Sequence, residues 1–345
     1  MQRTGGVNRY FAEIISRLPG TFRPVIYGCR PSAPHVPVHP ALRHVGRPPL
    51  HILSDPLVTA WSRGFNLIHP TYYHLTPPLS ASTLRSRLVV TVHDFVMVRY
   101  ADLYARSGKL ITAQDAVIRA ADYLICVSHS TRNDLLERFP ECEGRSTVIH
   151  LGTTVRPASP NAGRAVGAPY VLYVGSRVFY KNFELSLKAA AEWRRRGVDL
   201  SLVVAGPPAT DTERELLHRL DLENCAKFVE FPNDAELAAL YRGALVLLYP
   251  SCFEGFGLPP LEAMAHGCPV IALGTSSLPE VVGDGGILLD PLSASAETVA
   301  DAVVELATNE IVRTGLSQRA TAQAAKFDWD NTVRETVKVY DRVCA

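Results

Sequence analysis

SCFEGFGLPPLEAMAHGCPVIAL, residues 251–273, is the stretch on which the fold turns. It grows out of one apolar run, LVLLYPS (245–251), and ends in another, PVIAL (269–273). Between them lie a glycine-rich turn and a helix. The helix opens at Pro259–Pro260, where proline suits a first turn, and stops at Gly267, a natural residue just past a helix end. Strand, turn, helix and strand in that order make one unit of a parallel sheet. Gly255 and Gly257 let backbone N–H groups approach a ligand, and the helix N-terminus favours negative charge. Glu254 lies in the turn and Glu262 in the first turn of the helix. Alone, Glu262 reads as an acid that suits the helix dipole. Together with Glu254 it suits a polyhydroxylated anion such as a sugar phosphate, carboxylates holding hydroxyls and amides facing phosphate oxygens. Both carboxylates are expected to face solvent rather than core.

The same alternation runs outward to both ends of the chain. PVIYG (24–28), LIHP (67–70), LVVTVHD (88–94), YLICVS (123–128) and TVIHLG (147–152) read as strands in the first half. YVLYVG (170–175), LSLVVAG (200–206), KFVEF (227–231), LVLLYPS, PVIAL and GILLD (286–290) do so in the second. Helix-length segments such as NFELSLKAAAEWRRRG and DAELAALYRGA separate them. Continuous β-branched runs between helices predict an α/β fold with parallel sheets covered on both faces. Eleven strands are too many for one doubly wound sheet. RPASPNAGRAVGAP (156–169) lacks apolar periodicity and reads as the linker. The expectation is two Rossmann-like doubly wound domains facing a cleft, residues 1–155 and 170–328, with the terminal helix 329–345 completing the first. Ligands then sit at the carboxyl ends of the strands. RPSAPHVPVHP (30–40) reads as an irregular loop inside the first half, and its histidines have no zinc spacing.

Composition narrows the function. Over 345 residues, 35 Lys+Arg against 34 Asp+Glu leave a net charge of +1, so no nucleic-acid partner is expected. Hydrophobic residues at 47% and charged residues at 20% exclude a disordered chain. Seven cysteines without a C-x-x-C pair read as free thiols in a reducing compartment. No run reaches the ~18 apolar residues of a membrane span. A cytoplasmic protein is expected, with peripheral contact at the inner face of the membrane allowed.

Further candidates lie at strand ends. Arg177 and Lys181, in G-S-R-V-F-Y-K-N, follow YVLYVG and are cations placed to meet a diphosphate, whose bond breaks toward an oxyanion. Alternatively they are surface charges near a helix start. His93 ends LVVTVHD and by itself reads as a structural histidine, with Asp94 able to fix its tautomer. Gly5–Gly6 before a helix reads as an amide site but lacks the G-x-G-x-x-G dinucleotide fingerprint. His129 is expected at a helix start capped by Ser128 or Ser130, and His266 at a helix end. Asp328–Trp329–Asp330 fits D-x-D in form, yet precedes the terminal helix and reads as its cap. No essential metal is expected.

Glu254 and Glu262 form an E-x7-E inside E-G-F-G-L-P-x-L-E-A-M-A-x-G-x-P-V-I, which resembles the retaining nucleotide-sugar glycosyltransferases of family 4, with the GT-B fold. GGVNRYFAEI is similar to that family's glycine turn and first helix, VVTVHD to the strand ending in its active-site histidine, and YVLYVGSRVFYKNFELSLKA to the opening of its C-terminal domain. The resemblance implies transfer of a sugar from a nucleoside-diphosphate donor to a hydroxyl with retained anomeric configuration. It implies front-face attack, the departing phosphate oxygen assisting deprotonation of the acceptor. It places His93 and Glu254 at the reacting sugar, Gly6, Arg177 and Lys181 at the diphosphate, Glu254, Gly255, Phe256, Gly257 and Leu258 around the donor sugar, and Glu262 at the ribose. GDP-mannose leads as donor and UDP-sugars follow, with a glycan or lipid-linked acceptor in surface polysaccharide synthesis. A sugar-nucleotide 2-epimerase, a glycan phosphorylase and a non-catalytic scaffold of this fold are the alternatives. The family carries a strand before the glycine turn, where this chain has only Met1–Thr4, so an upstream start is expected.

Overall fold

The computed structural model describes residues 6–27, 40, 43–45, 64–73, 86–103, 107–154 and 169–345. The chain divides into two compact units, Met1–Gly152 with Asp328–Ala345, and Thr153–Phe327. Met1–Thr4, Gly5 and residues 156–168 of the linker lie outside the described residues.

In the first unit, helix α1 (Gly6–Arg17) precedes two short parallel strands, β1 (Val25–Tyr27) and β2 (Arg43–Val45). A separate four-stranded parallel sheet runs β3 (Leu67–Ile68), β4 (Arg87–Val92), β5 (Tyr123–Cys126), β6 (Ser146–Val148) in spatial order. Helices α2 (Val96–Arg99), α3 (Ser107–Ala120) and α4 (His129–Arg138) connect its strands. The period of two decides which face each residue serves. Leu88, Val90 and Val92 pack with Val117 and Ile118 of α3 and Leu135 of α4. Val89, Tyr123 and Ile125 point the other way and pack with Val339 and Tyr340 of the terminal helix.

The second unit holds a six-stranded parallel sheet. Its strands are β7 (Tyr170–Val174), β8 (Ser201–Gly206), β9 (Ala226–Glu230), β10 (Val246–Tyr249), β11 (Val270–Leu273) and β12 (Gly286–Leu289), in spatial order 12-11-10-7-8-9. Helices α5 (Phe183–Arg195), α6 (Asp211–Arg219), α7 (Asp234–Gly243), α8 (Leu258–Ala265), α9 (Leu278–Val282), α10 (Ala296–Thr308) and α11 (Glu310–Ala324) cover it. The central strands are buried along their whole length, as a parallel sheet covered on both faces requires. Trp193 of α5 anchors one face, fully buried in a cluster with Leu187, with Val171, Leu202 and Val204 of the sheet, and with Val303 of α10. Its indole donates to the Leu200 carbonyl at 3.2 Å, so truncation to Ala would cost about 3–5 kcal/mol.

The chain then returns to the first unit as α12 (Trp329–Cys344), which buries Trp329, Thr332, Val333, Thr336, Val339 and Tyr340 along one stripe. Asp328 caps it, its carboxylate accepting from the amides of Asp330 (3.1 Å) and Asn331 (3.3 Å). Gly152 is needed here, because a Cβ at that position would collide with the Trp329 backbone nitrogen. Among the described residues no helix is long and apolar enough to cross a membrane.

Candidate active site

Strand order in the second unit locates the site. The chain leaves β7 toward β8 and β9, then returns to place β10 on β7's other side. Loops leaving the carboxyl ends of β7 and β10 therefore diverge from neighbouring strands, the arrangement in which open α/β sheets bind ligands. The first loop carries a short 3₁₀ turn, Phe179–Lys181, and Asn182 at φ 52° before α5. The second is the glycine-rich turn. A hydrogen bond from the Cys252 amide to the Tyr180 carbonyl, 2.7 Å, ties the two.

Across this seam Lys181 Nζ donates to Glu254 Oε1 at 2.5 Å and to the Tyr249 hydroxyl at 3.2 Å. The side chains of Lys181 and Glu254 are 14% and 10% exposed. Burial, and then the charge of Glu254, push the Tyr249 phenol well above its ordinary pKa, so it keeps its proton. Local order then comes from hydroxyls that the sequence reading missed. The Glu254 amide donates to Ser276 Oγ at 2.8 Å. Ser277 Oγ lies 3.0 Å from the Glu254 carbonyl and 2.7 Å from that of Phe256. Thr275 Oγ1 donates to the Ser251 carbonyl at 3.0 Å. Their signal is the run T-S-S that follows Gly274 after β11, the strand beside β10.

Gly257 caps α8 at φ 104°, a conformation glycine adopts without strain. Helix α8 begins at Leu258, so Glu262 sits in its second turn, not its first. Nor does Glu262 face solvent. It is buried, 8% exposed, and its Oε2 accepts from the Tyr241 hydroxyl at 3.1 Å. Gly255, Phe256 and Leu258 complete the turn, with Phe256 buried against Phe327. His266 ends the helix, its Nδ1 2.8 Å from the Glu262 carbonyl.

Arg177 departs from expectation. Its side chain is 4% exposed and its Nε and Nη2 form a fork on Glu213, at 2.6 and 3.0 Å. The same guanidinium donates to the carbonyls of Pro207 (2.9 Å) and Pro208 (2.6 Å) and lies over the rings of Phe183 and Phe228. Burial pushes the Glu213 carboxyl up, but the hydrogen bonds from Arg177 and Thr210 and the Arg177 charge together outweigh it and hold the group below its ordinary value. The sequence sets Arg177 beside Lys181 on a diphosphate; in the structure its charge is paired with Glu213 of helix α6.

In the first unit His93 follows β4 directly. Its amide donates to the Tyr73 hydroxyl at 3.1 Å, and its ring stands edge-on to Tyr10 at 5.4 Å. Burial lowers its pKa to about 4, so the imidazole is neutral at working pH. Nε2 is buried with no hydrogen-bond partner among the described residues. A cavity of about 40 Å³ beside it is lined by Val7, Tyr72, Tyr73, Asp94, Met97 and Gln114, among others. The Asp94 carboxylate, expected on the imidazole, accepts from the Val96 amide at 3.0 Å. Gly6 opens α1 and is exposed. His129 opens α4, capped by Ser128 through the Thr131 amide at 2.9 Å.

Comparison with known proteins agrees with this architecture. Residues 156–324 match the family model of the glycosyl transferases group 1, and residues 4–156 that of glycosyltransferase family 4. The MMP alpha-(1->4)-mannosyltransferase of Mycolicibacterium hassiacum is 30% identical over 304 residues, 84% of this chain and 73% of that protein. The O-antigen chain mannosyltransferase B of Escherichia coli is 28% identical over 271 residues, 74% of this chain and 70% of that protein. Among solved structures, Anabaena HepE in complex with UDP-glucose superposes with a TM-score of 0.79 at 19% identity, covering 98% of this chain and 96% of that one.

Proposed function

The chain belongs to the group 1 and family 4 glycosyltransferases, and from that premise we propose that it moves mannose from GDP-mannose, or second a hexose from a UDP-sugar, to a hydroxyl of a glycan or lipid-linked acceptor with retained configuration. It is a glycosyltransferase with the GT-B fold. The observation that carries the finer reading is the Lys181–Glu254 pair at the switch point of the second sheet. Each charge is held in place before any donor arrives, so little reorganisation remains for the reaction. Lys181 then meets the diphosphate as a compact cation and Glu254 accepts from the donor sugar's hydroxyls. The amides between Gly255 and Leu258, at the positive end of the α8 dipole, are assigned to the same group, since Pro259 and Pro260 carry no N–H. Glu262, steadied by Tyr241, is assigned to the ribose.

The bond from the anomeric carbon to the phosphate oxygen breaks, and its electron pair leaves with the nucleoside diphosphate. The acceptor oxygen bonds to the same face of that carbon, and its proton passes to the departing phosphate oxygen. His93 serves as a neutral hydrogen-bonding group toward sugar or acceptor, not as a base. Lys181 and the helix N-terminus supply the positive charge, so no metal is assigned. The two mannosyltransferase relatives favour mannose, and the UDP-glucose bound to HepE keeps UDP-sugars second. The O-antigen relative favours a surface polysaccharide.

The test is incubation with labelled GDP-mannose and UDP-sugars, with and without glycan or polyprenyl-linked acceptors. Transfer that needs acceptor supports the proposal. Isomerised donor without acceptor, phosphorolysis, or binding without chemistry overturns it.

A further inference from the structure

We propose that His69 is a positioning residue for His93, closing a hydrogen-bonded circuit between the terminal helix α12 and the Tyr10 ring against which His93 packs. The inference rests on the role of His93 given above. His69 follows β3 as His93 follows β4, at the same edge of the sheet. Both its ring nitrogens are engaged: Nδ1 lies 2.7 Å from the Tyr340 hydroxyl and Nε2 2.8 Å from Thr91 Oγ1. Thr91 Oγ1 in turn lies 2.9 Å from the Tyr10 hydroxyl.

A neutral imidazole donates from one ring nitrogen and accepts at the other, so His69 carries the hydrogen bonds from Tyr340 of α12 to Thr91 in one direction at a time. A charged His69 would donate from both nitrogens and break that relay. Burial, and then neighbouring His93, lower its pKa to about 3, so the neutral form persists.

This circuit matters because of what holds His93. With Nε2 unpartnered among the described residues, the ring's setting depends on its walls, chiefly Tyr10 edge-on at 5.4 Å and Phe11 at 6.4 Å. Phe11 also stands edge-on to His69 at 4.9 Å. Moving Tyr10 therefore moves the imidazole.

The test uses the full chain labelled with ¹⁵N-histidine. Wild type should show His69 neutral and held in a single tautomer across neutral pH, a signal that His69→Gln removes. Thr91→Val takes away the central hydroxyl at nearly constant volume. It should shift the His93 resonances and lower kcat by on the order of ten- to a hundredfold, the scale of a misplaced group, with donor KM within about twofold. Thr91→Ser should restore both. If Thr91→Val does not fold, Tyr340→Phe replaces it with the same expectations. A His69 that averages between tautomers in wild type, or a folded variant that keeps kcat within about twofold, overturns the circuit. The tautomer measurement needs no turnover, so a wild type inactive with every donor counts against the function alone.

Discussion

Arg177→Ala should act as a stability mutation rather than a catalytic one, against the plain reading of G-S-R-V-F-Y-K-N. The guanidinium is 4% exposed and makes a two-pronged contact with Glu213, itself 15% exposed, besides its bonds to two proline carbonyls. Removing one member of a buried ion pair leaves the other uncompensated and costs about 3–5 kcal/mol. Glu213 has a second duty, closing the capping box of α6 by accepting from the Thr210 amide at 2.8 Å. Its displacement would loosen that helix too. For a unit the size of Thr153–Phe327, each kcal/mol moves the melting point by about 2–4 °C, so a fall of roughly 6–20 °C follows. Differential scanning calorimetry measures it, and titration with GDP below the transition measures what the folded fraction still binds. Adding Glu213→Gln to Arg177→Met should recover part of the loss, since no buried charge is then stranded. If Arg177→Ala melted within about 2 °C of wild type yet lost GDP affinity or transfer a hundredfold, the diphosphate role would be right and the structural one wrong.

Lys181→Ala strands the 10%-exposed Glu254 and should also lower the melting point, but the folded fraction should in addition lose about 3–4 kcal/mol of transition-state stabilisation, read as kcat/KM in a transfer assay; near-normal transfer would remove Lys181 from the site. Glu254→Gln should mainly lower kcat while GDP still binds, whereas Glu262→Gln should raise donor KM and weaken GDP in calorimetric titration; the reverse pattern exchanges the two roles. Transfer should survive EDTA, and loss on chelation with rescue by Mn²⁺ or Mg²⁺ refutes the metal-free reading. Acid should weaken the first unit. The folded pKa values of His93 and His69, about 4 and about 3, lie below the ordinary value, so the unfolded chain takes up protons first. Stability is thus complete above about pH 6.5 and falls as pH drops toward about 3–4, where the effect ends. His69→Gln should flatten that slope by about one proton in pH-dependent urea melts; an unchanged slope refutes it.

How much of this is legible in the sequence depends on the range of the interactions. The eleven expected strands are all present, because a buried parallel strand writes itself as a continuous apolar run. The strand that escapes such a reading, β2, is three residues, Arg43–Val45, with one apolar member after a proline-rich stretch. Glu254 and Lys181 are legible as separate charges, but their pairing across β7 and β10 is not, since 73 residues separate them. Pro259–Pro260 marks a helix opening that would put Glu262 in the first turn, whereas Gly257 lets the helix begin at Leu258. The burial of Glu262 depends on Tyr241 from α7, which no local pattern reports.

The two cations of one loop show why a motif alone underdetermines a site. Arg177 and Lys181 stand four positions apart at one strand end, each with one carboxylate partner. Their difference lies in what the partner is bound to. Glu213 is locked into a helix cap and Arg177 is a planar fork with two further backbone acceptors, so neither charge can be released without disturbing α6. Glu254 is held through its backbone, by Ser276 and Ser277, so its carboxylate can exchange partners while the turn stays put. Lys181, with three rotatable donors on a flexible stem, can follow that exchange at small entropic cost. An ion pair anchored by main chain can open for a ligand, whereas one anchored by side chain is part of the fold, and on this distinction Arg177→Ala is expected to act on stability and Lys181→Ala on transfer as well.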